Sequence, residues 1–262
     1  MMCFLILASF LWKFVVCSDL QHIVLFLATA HRTKYLSMMS NYKVPFKDGK
    51  VYFSYAEIHH TMNKIAPTIK KEFDPNVIIA VGGGGFIPAR ILRTYLKVPI
   101  LSVSLELYND KTNKLSEKGV VCHQWFDPDT QHGKLVEDGR VLIVDEVDDT
   151  RTTLQYCVEQ VLKRSNPSKV AVCVVHNKIK EKMGSIPPGV EVFAGETVPD
   201  YWNCYPWDAG AYGLDISLHE EYARQCSSRG TAEAEIGQLV SSPELLTLLS
   251  TSRAGRDSID GQ

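Results

Sequence analysis

Val141-Leu142-Ile143-Val144-Asp145-Glu146-Val147-Asp148-Asp149-Thr150-Arg151-Thr152-Thr153 is the stretch on which the reading of this chain turns. Four apolar residues read as a buried strand, four carboxylates then fall within five positions, and Thr-Arg-Thr-Thr leads into a helical pattern. A strand interior does not tolerate such a cluster. The acids are therefore placed at the strand's carboxyl end, where open α/β sheets bind ligands. Neighbouring carboxylates repel one another unless hydroxyls, a cation or a metal compensates, which argues against an ordinary solvated turn. Threonine hydroxyls, a guanidinium and the free N–H groups of a helix start suit a phosphate. Carboxylates able to accept from sugar hydroxyls, beside such a cradle, describe a site for a sugar phosphate.

Outward from this stretch the chain alternates short apolar runs with helical patterns. Ser54–Thr68 is expected to be a helix, with Ser54 as cap and Ile58, Met62 and Ile65 at helical spacing, broken by Asp74-Pro75. Val77–Val81 reads as a strand buried on both faces, followed by the Gly82–Gly85 tetrad and a helix over Ile87–Leu96. Ile100–Leu105 is the next strand, Val141–Val144 the central one, Thr152–Leu162 the helix after it, and Lys169–Val175 a further strand. Leu107–Gly139 is polar and aperiodic, a length usual for functional or moving loops, with a hairpin expected around Val120–Trp125. Phe193–Asp208 reads as aromatic and irregular, and Asp215–Cys226 as a closing helix. Alternation of this kind predicts an α/β fold with a doubly wound parallel sheet.

Composition narrows the function classes. Of 262 residues, 45% are apolar and 22% charged, as in ordinary globular proteins, and the formal net charge of −2 gives no basic surface for a nucleic acid. Seven cysteines without a C-x-x-C pair form neither a disulfide framework nor a zinc site, and read as reduced thiols in the cytoplasm. His123, His132 and His176 lack ligand spacing. Residues 1–37 are an apolar extension. Lys13, Asp19 and His22 interrupt it, so it makes a poor spanning helix, and nothing basic precedes its apolar core as a signal peptide requires. Two readings stand: a targeting or membrane-associated extension, or translation starting at Met38 or Met39. The globular domain is placed at residues 38–226 and a flexible Ser-, Thr-, Gly- and Glu-rich tail at 227–262.

The Gly82–Gly85 loop sits between strand and helix, where the backbone turns tightly and presents N–H donors. It is not a dinucleotide fingerprint, because Ile87 or Pro88 fills the third glycine position, and no Gly-Lys-Ser/Thr closes it as a Walker A loop. Arg90 and Arg93 follow one turn apart; Arg93 reads as solvated surface.

These residues carry a resemblance. Val141–Thr153 resembles the phosphoribosyl-diphosphate (PRPP) motif of type I phosphoribosyltransferases: apolar strand, two acids, two spacers, Asp, Thr, then a phosphate loop. Val77–Arg90 is similar to that family's pyrophosphate loop and following helix. Thr197-Val198-Pro199-Asp200-Tyr201-Trp202 with Tyr205-Pro206-Trp207-Asp208 resembles the base-binding segment of its purine branch. The nearest likeness, over Val51–Cys226, is to the fungal-type hypoxanthine-guanine and xanthine phosphoribosyltransferases. It implies a sheet with a small hood built from the N-terminal part and Phe193–Asp208, a Mg²⁺-dependent transfer from PRPP to a purine base, and a homodimer. It implies that Asp145 and Glu146 hold the ribose hydroxyls, that Asp149 serves as general acid or base at the purine N7, and that Thr150, Arg151, Thr152 and Thr153 cradle the 5′-phosphate. Gly83 and Gly84 would meet pyrophosphate, Lys178 the 6-oxo group and Trp202 the base face. Tyr108 would belong to a mobile lid over Leu107–Lys118, and Asp145, Glu146 and Asp208 would face Mg²⁺, mainly through PRPP and water.

Two positions depart from the pattern. Arg151 replaces a common glycine and either adds a phosphate contact or points outward. Asp148 stands where relatives often carry an apolar residue, and its role is open. The glycine tetrad with Phe86 looks more like the hypoxanthine-guanine enzymes, while His176-Asn177-Lys178 and Cys204–Asp208 look more like the xanthine ones. A PRPP-sensing regulator of the same fold is the second reading, opposed by the retained Asp149, Lys178 and Trp202. A receiver-like Mg²⁺-binding module also clusters acids at strand ends, but has no use for the glycine loop.

Overall fold

The computed structural model of this chain describes residues 42–109, 114–115 and 119–226. The expected extension at 1–37, the candidate starts Met38 and Met39, and the tail at 227–262 lie outside the described residues. In chain order the elements are β1 (Lys50–Tyr52), α1 (Tyr55–Glu72), β2 (Val77–Gly82), α2 (Phe86–Leu96), β3 (Ile100–Glu106), β4 (Tyr108–Asn109), β5 (Lys114–Leu115) and β6 (Val121–Gln124). Then follow β7 (Arg140–Asp148), α3 (Thr152–Arg164), β8 (Lys169–Ile179), β9 (Glu191–Pro199), β10 (Trp202–Cys204), a 3₁₀ segment (Pro206–Tyr212) and α4 (Ile216–Gln225).

Local sequence explains the helix starts. Ser54 closes a capping box on α1: its hydroxyl accepts from the Glu57 N–H at 3.1 Å, and the Glu57 carboxylate accepts from the Ser54 N–H at 2.7 Å. The helix runs on through Pro67 to Glu72, past the expected end at Thr68. Its buried stripe of Ile58, Met62, Ala66 and Ile69 continues across that proline, and each large side chain in it is worth about 1.5–3 kcal/mol on burial. Asp215 caps α4 by accepting from the Leu218 N–H at 2.9 Å.

Six strands pair in the order β6-β3-β2-β7-β8-β9, all parallel except the β3–β6 hairpin at one edge. Alternation along each strand makes two apolar faces. Ile78, Ala80, Leu142, Val144, Ala171 and Cys173 pack in one core with the stripes of α1 and α2. Val77, Ile79, Val81, Val141, Ile143, Val170, Val172 and Val174 pack in the other, against Leu154, Cys157, Val158 and Val161 of α3. Helices on both faces of a mainly parallel sheet are the doubly wound architecture read from the sequence. Connections from β2 pass to β3 on one side, and the chain later returns to β7 on the other, which puts a switch point between β2 and β7.

Two expectations need correction. The carboxylates do not lie beyond the central strand: β7 continues to Asp148, with Asp145, Val147 and Asp148 in register with Val174, His176 and Asn177 of β8. Pairing with β2 stops at Ala80–Val144. From Asp145 onward β7 is therefore sheeted on one side and open on the other, which is how a strand carries acids. Nor is Phe193–Asp208 irregular. Its first half is the edge strand β9, whose mixture of polar and apolar residues hid it, and the hood is left with β10, paired in parallel with β1, and the residues that follow it.

Pro45–Cys226 forms one compact unit. Among the described residues no helix is long and apolar enough to cross a membrane. The β2–α2 turn is the tightest packing point near the site, because a Cβ on Gly85 would fall 2.3 Å from the Val144 carbonyl oxygen and 2.6 Å from that of Val81. Both obstacles are sheet backbone and cannot swing aside. Gly85→Ala is expected to cost about 2 kcal/mol or more, read as a shifted urea midpoint in chemical denaturation; an unchanged midpoint contradicts that packing.

Candidate active site

The carboxyl ends of β2 and β7 frame two adjoining clefts. One, of about 320 Å³, is lined by Asp145, Glu146, Asp149, Thr150–Leu154, Lys178, Trp202 and Asp208. The other, of about 370 Å³, is lined by Gly82–Gly84, Glu106, His123, Asp145, Glu146 and Thr153. Asp145, Glu146 and Thr153 belong to both, so the acidic pair stands between the glycine loop and the helix start. Val77–Gly84, Val141–Thr153 and Lys178–Asp208, far apart in the chain, meet here because the switch point brings their strand ends together.

Asp145 is buried, and one of its oxygens accepts from the Glu146 N–H at 2.9 Å. Burial first, then the charge of Glu146, pushes its carboxyl well above the ordinary range. Glu146 lies against Gly84: a Cβ there would sit 1.8 Å from Oε2, so only glycine lets this carboxylate approach the loop. That same Oε2 is buried without a hydrogen-bond partner. Across the cleft, partial burial and the charge of Glu146 push Asp208 up as well. An orphaned carboxylate oxygen and two carboxyls displaced upward mark a place short of positive charge. Among the described residues no three His, Cys, Asp or Glu side chains converge as a metal-ligand set.

Asp149 is held differently. Its Oδ1 accepts from Lys180 Nζ at 3.0 Å and lies 3.2 Å from Lys178 Nζ. Asp200 faces the same two ammonium groups at 3.1 Å and 3.5 Å. Burial works to raise the Asp149 pKa, but the hydrogen bond from Lys180 and the charge of Lys178 outweigh it and hold the carboxyl below its usual value. Lys180 is correspondingly held up by Asp149.

The third corner of the cleft is the start of α3. Helix bonding begins with the Gln155 N–H donating to the Arg151 carbonyl at 2.9 Å, and no side chain caps the start. The N–H groups of Thr152, Thr153 and Leu154 are thereby left without helical acceptors, beside the cleft those residues line. The Thr150 and Thr152 hydroxyls are 3.1 Å apart. Arg151 has φ +69°, in the left-handed region, and its guanidinium turns to Asp148, with Nε and Nη2 on Oδ2 at 3.0 and 2.7 Å.

The hood supplies the remaining wall. Trp202 on β10 is 59% exposed, so it is not a packed core aromatic. Tyr205 stacks parallel to Trp207 at 5.0 Å and shares a 2.9 Å hydrogen bond with His176 Nδ1; its hydroxyl also lies 3.4 Å from the Glu146 carbonyl. This ties the hood to β7. Tyr108 stands on β4, whose backbone pairs with β5; most of the expected lid lies outside the described residues.

Asp145, Glu146, Asp149, the Thr150–Thr153 loop, Gly83, Gly84, Lys178, Trp202 and Asp208 are thus brought to one pair of clefts. Lys180, Lys182 and Asp200 were not singled out from the sequence. The signal was present, because lysines at every second position from 178 to 182 fall on one side of an extended chain. Asn203, whose amide nitrogen is buried without a partner, carried no signal.

Known proteins bear on this geometry. The family model described as the phosphoribosyl transferase domain matches residues 54–204. Xanthine phosphoribosyltransferase 1 of Saccharomyces cerevisiae is 39% identical over 206 residues, covering 68% of this chain and 97% of that protein. The hypoxanthine-guanine phosphoribosyltransferase of Schizosaccharomyces pombe is 36% identical over 197 residues, covering 66% and 94%. A crystal structure of a hypothetical protein from Neisseria gonorrhoeae with bound ppGpp is 41% identical, with a TM-score of 0.59 over 67% of this chain and 96% of that one. The sequence motifs, the switch-point clefts and these relatives agree, and the chain belongs to the phosphoribosyltransferase family.

Proposed function

We propose that this chain is a purine phosphoribosyltransferase of nucleotide salvage, transferring the 5-phosphoribosyl group of PRPP to hypoxanthine, guanine or xanthine. The observation that carries the reading is the meeting, in adjoining clefts, of an acid pair, an uncapped helix start, a glycine loop, a lysine-paired Asp149 and an exposed Trp202. Relatives named for xanthine and for hypoxanthine-guanine support the purine class.

In this reading the α3 start, with Thr150, Arg151, Thr152 and Thr153, takes the 5′-phosphate, and Asp145 and Glu146 accept from the ribose hydroxyls. Gly83 and Gly84 offer backbone N–H groups to pyrophosphate; a Cβ at Gly83 would meet nothing, so that side of the loop is open. Trp202 stacks on the base and Lys178 donates to its 6-oxo group. Purine N9 bonds to C1′ as the C1′–O bond to pyrophosphate breaks, and Asp149 takes the proton from N7. Carboxylates near the ribose favour the positive charge that develops at C1′. Tyr108 and the rest of the lid exclude water, because hydrolysis of PRPP competes with transfer.

Mg²⁺ fits the residues present. The orphaned Glu146 oxygen and the upward-shifted Asp145 and Asp208 would face it mainly through PRPP and water, since these side chains do not themselves converge as a ligand set. When bound it neutralises charge on the leaving pyrophosphate. We place the protein in the cytoplasm as a homodimer; buried thiols at Cys157, Cys173 and Cys204 are in keeping with a reducing compartment. The domain is taken as residues 38–226, with flanking segments outside the chemistry.

Incubation with PRPP, Mg²⁺ and each of the three purines tests the reading: nucleotide is expected from at least one. Tight PRPP binding with no product from any base would favour the sensing regulator instead. Asp149→Asn is expected to lower kcat by about 10²–10⁴-fold, with the PRPP KM little changed, in steady-state assays. Trp202→Ala should raise the KM for the base about tenfold and leave kcat nearer wild type, as loss of a stacking contact predicts. A pH profile tests the lysine pairing. Because burial raises and the lysines lower the Asp149 pKa, Lys180→Met lets it climb, so the acid limb of kcat moves to higher pH. An unmoved or lowered limb contradicts the pairing.

A further inference from the structure

Asp148 and the β8–β9 connection stand behind the phosphate corner, and the chemistry above gives them no part. Asp148 is 1% exposed. One of its oxygens takes both Nε and Nη2 of Arg151, and the other lies 3.5 Å from Lys182 Nζ. Lys182 Nζ also donates to three carbonyls, those of Asp148 at 2.6 Å, Asp149 at 2.9 Å and Lys178 at 3.0 Å. An ammonium has three protons, so all are engaged by backbone of the loop or of the strand beside it. The next residues continue the support. The N–H groups of Met183 and Gly184 both donate to the Thr150 carbonyl at 3.0 Å, and a Cβ on Gly184 would lie 2.6 Å from the Arg151 carbonyl oxygen.

Every peptide from Asp148 to Arg151 is therefore braced from behind, and the brace ends on the one residue of the loop with positive φ, Arg151. A non-glycine residue resists that conformation. Its guanidinium cannot face the cleft while it forks onto Asp148. Besides the threonine hydroxyls, what the cleft receives from this corner is backbone, namely the Thr152, Thr153 and Leu154 N–H groups that follow the turn at Arg151.

We infer that Asp148 and Lys182 are positioning residues for PRPP, anchoring Arg151 in its left-handed turn so that the first N–H groups of α3 point at the 5′-phosphate. The inference rests on the proposed reading of that helix start as the phosphate cradle. Arg151 then acts through its backbone, with its side chain serving as the tether that compensates for the absence of glycine.

The test compares Arg151→Ala with Arg151→Gly in the full-length chain, measuring PRPP and ribose 5-phosphate binding by calorimetry alongside steady-state kinetics. Alanine removes the tether but keeps the resistance to positive φ, so PRPP affinity should fall about tenfold. Glycine removes both and should recover most of the loss, to within about threefold of wild type. In each variant the change belongs in the KM for PRPP, with the purine KM steady and kcat shifted by less than about threefold; a general loosening of the site moves all three. Asp148→Asn should weaken PRPP binding as Arg151→Ala does, and the two should be non-additive. If Asp148→Asn does not fold, the alanine–glycine pair at Arg151, whose side chain is 24% exposed, still decides. Equal losses for Ala and Gly would show that the guanidinium itself serves the phosphate and would overturn the inference, as would wild-type affinity in both. A wild-type chain that binds ribose 5-phosphate but transfers to no purine leaves the anchor standing and refutes the transfer reading. A wild-type chain that binds no phosphate ester overturns the anchor.

Discussion

Carboxylate crowding at the end of β7 is the constraint to which the rest of the site answers. Asp145, Glu146, Asp148 and Asp149 follow one another where the strand has lost its β2 neighbour but keeps β8. Buried like charges are not tolerated without compensation, and each acid finds a different one. Asp148 is hydrogen-bonded inside the protein by Arg151, and its other oxygen, without a hydrogen bond, lies 3.5 Å from the Lys182 ammonium. Asp149 is paired at the surface with Lys178 and Lys180. Asp145 and Glu146 are left short of positive charge, with one oxygen of Glu146 unpartnered. Which of the acids β8 and the segment after it can reach thus decides which are compensated within the protein.

That makes β8 as important as the motif strand. Its extension past Val175 to Ile179, and the lysine-bearing segment after it, supply the ammonium groups that, among the described residues, face the acidic run. Glycine plays the complementary part on the opposite wall. Gly84 admits the Glu146 carboxylate, and Gly85 admits the carbonyls of Val81 and Val144. Charge is managed from one side of β7 and space from the other.

Much of this was legible in the chain. The apolar runs at Val77–Val81 and Val141–Val144 sit on continuous two-sided burial, which leaves a strong signal, and the Ser54 cap is local chemistry. What escaped was the length of β7 and β8, because a strand that carries acids or lysines looks like a loop until its partner is known. β9 escaped for a related reason: at a sheet edge its residues alternate between core and solvent without a clean period. Arg151 illustrates the limit for the site. The sequence read it as a phosphate contact or an outward-pointing side chain; the fold instead turns it inward onto a buried carboxylate three residues earlier.

The sequence by itself determined the alternation of strand and helix, the presence of an acidic strand end next to a threonine-rich helix start, and the family likeness that implies a reaction for those groups. All of these depend on neighbours within a few residues, where periodicity, capping and charge spacing act. Only the tertiary structure decided which acids are neutralised by the protein and which are left short of positive charge. That choice depends on distances between β7, β8 and the hood, and on burial that removes the screening of water; neither is a property of any stretch of chain taken alone.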